Sequence, residues 1–166
     1  MSGLQICITR SDAEWEESIA ILRETYVGGG YSTSERARSF YMRTNLEQHG
    51  TLFHAIHNPR MMGVVLLLNE TSALRQVSTE NEGEFRLLAV SPEARGLGIG
   101  RALVTHCVDL ERRRGSTSVV ICTRPSMIAA QHLYESMGFV RLPKQDFVTD
   151  EGSERWVYAL ALSLGT

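Results

Sequence analysis

The chain has 166 residues, 43% of them hydrophobic and 22% charged, with a formal net charge of −2 at pH 7. That length predicts one domain over residues 1–166, able to bury roughly 70% of the surface of its unfolded chain. The charge balance excludes a nucleic-acid binder, and neither a signal-peptide pattern nor an apolar run near the roughly 18 residues of a membrane span is present, so a cytoplasmic setting away from the membrane is expected.

In chain order, Leu4–Ile8 alternates apolar and polar and reads as a first strand. Ser11 or Asp12 caps a helix to about Thr25, with Trp15, Ile19 and Leu22 at helical spacing. Gly28-Gly29-Gly30 ends it, and Ser32 to Asn45 reads as a more polar helical stretch. Thr51–Ile56 and Met62–Leu68 form a hairpin around Asn58-Pro59, and the polar stretch from Asn69 to Gly83 is a surface loop. Glu84–Val90 is the fourth strand and Gly98–Arg114 a helix ended by Gly115. The β-branched run Thr117–Cys122 reads as a strand covered on both faces. Arg124-Pro125-Ser126 opens another helix, with Ala130, Leu133, Tyr134 and Met137 on one face and Gly138 as a left-handed cap. Phe139–Leu142 and Arg155–Leu162 close the chain as strands. Cys7, Cys107 and Cys122 lie far apart inside apolar runs and read as buried free thiols.

The stretch RLLAVSPEARGLGIGR, residues 86–101, carries the most chemistry. An apolar strand stops at Ser91-Pro92, passes through Arg95-Gly96-Leu97-Gly98-Ile99-Gly100 and enters a helix at once. Glycines let the backbone approach an anion, and the first N–H groups of the helix then point at it with the positive end of the dipole behind them. The spacing is neither the G-x-G-x-x-G of a dinucleotide turn nor the Gly-Lys-Ser/Thr of a triphosphate loop. With Arg95 on one side and Arg101 on the other, a diphosphate ligand fits. By itself, Tyr134 on the apolar face of a helix reads as core more readily than as catalyst.

Taken together, the two stretches resemble the GNAT superfamily of acyl-coenzyme A-dependent N-acetyltransferases. The signature Arg/Gln-x-x-Gly-x-Gly/Ala is met by Arg95, Gly98 and Gly100. The preceding L-x-V-x-P-x-x-R is met by Leu88, Val90, Pro92 and Arg95, and the later L-Y-E-x-x-G-F by Leu133 to Phe139. The resemblance implies an α/β (α+β) GNAT fold, a mixed, mostly antiparallel sheet of six to seven strands flanked by helices. It implies acetyl-CoA as cosubstrate, with the amides of Gly96, Leu97, Gly98, Ile99, Gly100 and Arg101 on its pyrophosphate. The pantetheine arm would run beside Leu88, Ala89 and Val90, where the fourth and fifth strands splay apart in the family. A backbone N–H of the fourth strand would polarise the acetyl carbonyl, and Tyr134 would protonate the leaving thiolate.

A lysine-like amine with a pKa of ~10.4 is neutral in fewer than about one molecule in a thousand near pH 7, so a base is needed. Glu84 is the candidate, six residues before Val90, where many family members place a glutamate. Strand alternation groups it with Arg86 and Leu88 and puts Phe85, Leu87 and Ala89 on the other face. It reads equally as a solvated carboxylate beside Glu82, with a water relay as base. One departure from the family pattern is Met127, which stands seven residues before the tyrosine where many relatives carry a coenzyme-binding asparagine.

No metal site is expected: His54 and His57 point to opposite faces of a strand. His106 and His132 read as helix-face residues, and Trp15 and Trp156 as core or cleft-wall aromatics. No residue is an obvious nucleophile, which favours direct attack of a primary amine in a ternary complex. The tyrosine-flanked Tyr26–Tyr31 turn reads either as a loop able to close over a small amine or as a simple interhelix turn, and a small-molecule amine is favoured over a protein amine as acceptor. The alternative is a non-catalytic acyl-CoA-binding module, which Tyr134→Phe would leave unaffected. Dimers are frequent in the superfamily, and by analogy the closing strand Trp156–Leu162 would pair across a homodimer interface.

Overall fold

The computed structural model describes residues 3–163. In chain order the elements are β1 (Gln5–Ile8), α1 (Asp12–Tyr26), α2 (Ser34–Phe40), α3 (Arg43–His49), β2 (Gly50–His57), β3 (Arg60–Leu68), β4 (Glu82–Gly83), β5 (Phe85–Val90), α4 (Ile99–Arg114), β6 (Ser118–Thr123), α5 (Ile128–Ser136), β7 (Val140–Arg141), β8 (Phe147–Val148) and β9 (Glu154–Ala161). Two compact units share them: one runs up to Ala73 and takes in Phe85–His106, the other holds Leu74–Glu84 and the chain from Cys107 onward.

The first unit is built on an antiparallel sheet in the order β1-β2-β3-β5. Its strands follow from their apolar runs. Val64, Val65 and Leu66 of β3 are fully buried, as expected of a strand covered on both faces. Helix α1 starts where the sequence places its cap. Ser11 accepts from the Glu14 N–H at 3.2 Å, and the Glu14 carboxylate accepts from the N–H groups of Ser11 at 2.9 Å and Arg10 at 2.7 Å. This capping box contributes about 1 kcal/mol. The helix buries Trp15, Ser18, Ile21 and Leu22. The expected stretch from Ser32 to Asn45 is two helices, α2 and α3, because Tyr41 leaves the helical region at ψ 43°.

Gly63 decides how the start of α4 seats. A Cβ there would lie 2.8 Å from the Ala89 carbonyl oxygen, 3.1 Å from Ile99 and 3.2 Å from Leu103. Only a residue without a side chain lets this turn of α4 lie so close to β3 and β5. Ile99 and Leu103 are buried in the contact, each contributing roughly 2 kcal/mol.

The second unit's sheet runs β4-β6-β9-β7, with β8 on β9. The β4·β6 pair is parallel and the others antiparallel. The two-residue strands β4 and β8 are not legible in the sequence, so the described residues hold nine strands where six to seven are expected. The expected surface loop from Asn69 ends in β4, and Gly83 is buried against Glu111, whose Cγ would lie 2.5 Å from an added Cβ. Helix α5 begins at Ile128 and not at Arg124. The Gln131 amide donates to the carbonyls of Arg124 at 3.1 Å and Pro125 at 2.8 Å, holding that segment as a turn. Gly138 adopts φ 92°, the left-handed cap expected. β9 is flanked by β6 along Trp156–Ala161, and its other edge is taken by β8 at Glu154–Arg155 and by β7 at Tyr158–Ala159.

Candidate active site

The first unit holds the predicted anion site. Strand β5 is an end strand of its sheet: β3 is its only strand partner among the described residues. The chain leaves β5 at Val90, makes one short turn over Pro92–Ala94 and enters the glycine loop. Gly96 and Gly98 sit at φ 78° and 81°, the left-handed region that glycine enters without strain. A Cβ at either position would meet nothing within 4 Å, so the loop faces open space. Arg95, Leu97 and Arg101 are exposed beside it, while Ile99 is buried as an anchor.

Helix α4 then runs for 16 residues. Its Ala102 N–H bonds the Gly98 carbonyl at 3.0 Å. Helical geometry therefore leaves the N–H groups of Ile99 and Gly100, in the first turn, without intrahelical acceptors. A 16-residue dipole, these amides and two flanking guanidinium groups suit a diphosphate.

The pairing of β3 with β5 runs Val64↔Ala89 and then Leu66↔Arg86. Leu87 and Leu88 together therefore oppose Val65, which makes a β-bulge. Leu87 takes φ 59°, uncommon for a branched apolar residue. The bulge is braced from α1, whose last residue, Tyr26, donates its hydroxyl to the Leu88 carbonyl at 2.9 Å. The Tyr26 ring stacks on Tyr41 with centroids 6.2 Å apart and meets Tyr31 edge-on at 6.4 Å. Phe40 follows Tyr41 at 5.3 Å, and the Arg86 guanidinium lies 5.8 Å over the Phe40 ring. Both tyrosines of the expected acceptor turn thus belong to an aromatic group that touches β5. Tyr26 is a site residue the sequence offers only as a flank of the glycine turn, because its partner lies 62 residues away.

In the second unit, Tyr134 is 5% exposed on α5, with its ring 5.6 Å from Phe139 and 6.1 Å from Tyr158. The Tyr158 hydroxyl donates to Glu135 at 3.2 Å, and burial pushes this phenol up from its usual range. Met127 caps α5 by position, without a side-chain hydrogen bond.

Glu84 lies elsewhere than expected. The sequence places it in a row with Arg86 and Leu88, and those two are half-buried, but Glu84 is fully buried. Its carboxylate accepts the N–H of Gln76 (3.0 Å to Oε1, 3.2 Å to Oε2), Val77 (3.3 Å) and Ser78 (3.0 Å), and the Ser78 hydroxyl at 2.7 Å. Three successive amides converge on it as a backbone nest. Glu82 is tied separately to Thr79 and to the Ser118 hydroxyl, which donates to it at 2.8 Å.

The cysteines are free; Cys107 is buried, while Cys7 and Cys122 are partly exposed. Burial pushes the Cys107 thiol far up, which removes it as a nucleophile. His54 is buried and its Nδ1 lies 2.8 Å from the Thr9 hydroxyl, whereas His57 is partly exposed. His106 packs on Phe53, Trp15 is core, and Trp156 lies 4.4 Å from the Arg141 guanidinium. Among the described residues there is no group of three or more His, Cys, Asp or Glu placed to hold a metal ion. Nor is any described helix long and apolar enough to cross a membrane.

The acetyltransferase (GNAT) family model matches residues 15–139. The chain belongs to the GNAT family of N-acetyltransferases, which use acetyl-CoA, and it is an acyltransferase. It is 28% identical over 155 residues to the [ribosomal protein bS18]-alanine N-acetyltransferase of Escherichia coli, covering 89% of this chain and 99% of that one. It is 35% identical over 98 residues to N-acetyltransferase family 8 member 3 of Rattus norvegicus, a match to 58% of this chain and 42% of the rat protein. In fold it matches the E. coli S18-alanine enzyme (TM-score 0.68, 21% identity, 98% and 96% coverage). It also matches the PaiA N-acetyltransferase of Thermoplasma acidophilum in complex with coenzyme A (TM-score 0.69, 17% identity, 95% and 98% coverage).

Proposed function

We propose that this chain is a single catalytic domain that moves the acetyl group of acetyl-CoA to a primary amine by direct attack in a ternary complex. The observation that carries the reading is β5: an end strand with a bulge, leading through one short turn into a glycine loop that opens α4. The fit to the coenzyme rests on that loop, where two left-handed glycines face open space between exposed Arg95 and Arg101. The amides of Gly96 to Arg101 hold the pyrophosphate, and the free edge of Leu88-Ala89-Val90 pairs with the pantetheine arm as a further strand would.

Acetyl-CoA supplies an activated thioester carbonyl. Near it the bulge of β5 turns a backbone N–H toward the developing negative charge, and the Tyr26 hydroxyl holds the peptide that sets this direction. Tyr134 delivers the proton to the departing sulfur from its phenol.

The acceptor is an α-amine at a peptide amino terminus. Two relatives support this by name: the bS18-alanine enzyme, matched over 99% of its length, and N-alpha-acetyltransferase 30 of Schizosaccharomyces pombe, 29% identical over 108 residues. Chemistry supports it too. An α-amino group with a pKa of about 8 is neutral in roughly one molecule in ten at pH 7, against fewer than one in a thousand for lysine. Water can take that proton, so no buried carboxylate is required.

Calorimetric titration with acetyl-CoA, with ATP as control, tests the reading. Micromolar binding of acetyl-CoA and none of ATP is expected. No binding at millimolar acetyl-CoA would overturn it. Acetylation of an alanine-initiated hexapeptide, measured beside spermidine, then tests the acceptor class.

A further inference from the structure

We propose that Glu84 is a positioning residue: its buried carboxylate clamps residues 76–78, and so Gln76 against Cys122 of β6, in the shape that receives the acceptor. This deepens the acetyltransferase reading above and rests on it.

The geometry is specific. Glu84 is wholly buried, and among the described residues no ion pair involves its carboxylate. Both oxygens point into the curl of Gln76-Val77-Ser78, where three backbone amides and one hydroxyl donate to them. Oε2 alone receives four of these bonds. An oxygen so occupied offers no lone pair to an incoming ammonium, and burial denies that ammonium a path. The carboxylate instead supplies what the loop lacks. Amides in such a curl do not pair with one another, and without an acceptor they would be left unsatisfied at a cost of about 1–3 kcal/mol each.

The clamp reaches further along the second unit. Arg75 donates to the Ser78 hydroxyl at 2.7 Å and to the Glu82 carbonyl at 2.8 Å, closing the loop on itself. The Gln76 backbone is held by Glu84, while its side-chain oxygen accepts from the Cys122 thiol at 3.3 Å. Cys122 is the partly exposed residue after three buried ones in β6. Glu84 thus fixes which atoms of residues 75–78 are presented beside an accessible point of the sheet. It acts through those residues and transfers no proton.

Kinetics of Glu84→Gln on the hexapeptide separate this from a general base. The amide keeps the size of the carboxylate but turns an N–H2 toward donors, so the clamp should open. The expected result is a rise of roughly tenfold in peptide KM, a kcat within about threefold of wild type and an unchanged dependence of log(kcat/KM) on pH. Amides 76–78 should also lose hydrogen-exchange protection by at least about tenfold, with the acetyl-CoA affinity unmoved. A kcat lower by a hundredfold or more, with loss of the acidic limb of the pH profile and unchanged peptide KM, would overturn the proposal in favour of a base.

If Glu84→Gln shows no cooperative thermal transition, Ser78→Ala and Gln76→Ala keep the carboxylate and serve instead. Each should raise peptide KM severalfold at constant kcat, and two unchanged KM values would overturn the proposal. Failure of the acetyltransferase reading is separately visible, because wild type would then neither bind acetyl-CoA nor turn over. The exchange protection of residues 76–78 would still report the clamp.

Discussion

The Tyr26 hydroxyl donates to the Leu88 carbonyl at 2.9 Å, joining the last residue of α1 to the bulge of β5. One side chain therefore ties α1 to the strand proposed to hold the acetyl group. Tyr26→Phe keeps the stacking on Tyr41 and removes this bond. It should cost about 1 kcal/mol in stability by urea denaturation. Because the bulge peptide loses its brace, kcat should fall by roughly tenfold while the acetyl-CoA dissociation constant changes less than about threefold.

Gly98 at φ 81° tests the anion loop directly. Gly98→Ala meets no neighbouring atom within 4 Å, so its effect is backbone strain, of order 1–2 kcal/mol, and a methyl group placed where the ligand must approach. Acetyl-CoA should bind at least about tenfold more weakly by calorimetry, with a smaller relative loss in the thermal midpoint. Unchanged binding would remove the loop from the coenzyme site.

Tyr134→Phe removes an oxygen from a ring that stays packed by Phe139 and Tyr158. As general acid it should lower kcat by about 10²-fold or more and leave the acetyl-CoA dissociation constant unchanged. An unaltered kcat would return Tyr134 to a purely core role.

His54 links stability to pH. Burial holds its imidazole below the usual value, outweighing the carboxylates of Glu14 and Glu17, which act in the opposite direction. Among the described residues its Nε2 has no hydrogen-bond partner, so an N–H formed there on protonation would have no acceptor. Below about pH 6.5 the unfolded chain gains that proton while the folded chain resists it. The stability from neutral His54 is thus complete above that pH and declines as pH falls toward the lowered folded value. Urea midpoints at pH 7.5 and 5.5 should show this loss in wild type and a smaller one in His54→Asn.

Much of the site is legible in local sequence because its chemistry is local. Arg95, Gly96, Gly98 and Gly100 follow one another, and a left-handed loop at a helix start needs nothing remote to be recognised. The L-Y-E-x-x-G-F stretch is likewise one helix and its cap. Ser11 with Glu14, and Gly138 after α5, are short-range devices that read correctly for the same reason.

What fails is whatever depends on a distant partner. Strand alternation predicts the side on which Glu84 would lie if the strand ran straight, but it cannot register that residues 76–78 curl around its carboxylate. Two-residue strands such as β4 carry no periodicity and exist only because Ser118 and Val119 present a free edge. The bulge at Leu87-Leu88 is fixed by register against β3, and no turn residue announces it.

The sequence by itself determined the family and pointed to the glycine loop and the candidate acid, since glycine conformations and a helix start are set within a few residues. Only the tertiary structure decided that β5 ends its sheet, that Tyr26 braces its bulge and that Glu84 is enclosed by donors. Each of these is a hydrogen-bonding choice between segments, and which donor meets which acceptor is settled only when the chain is packed.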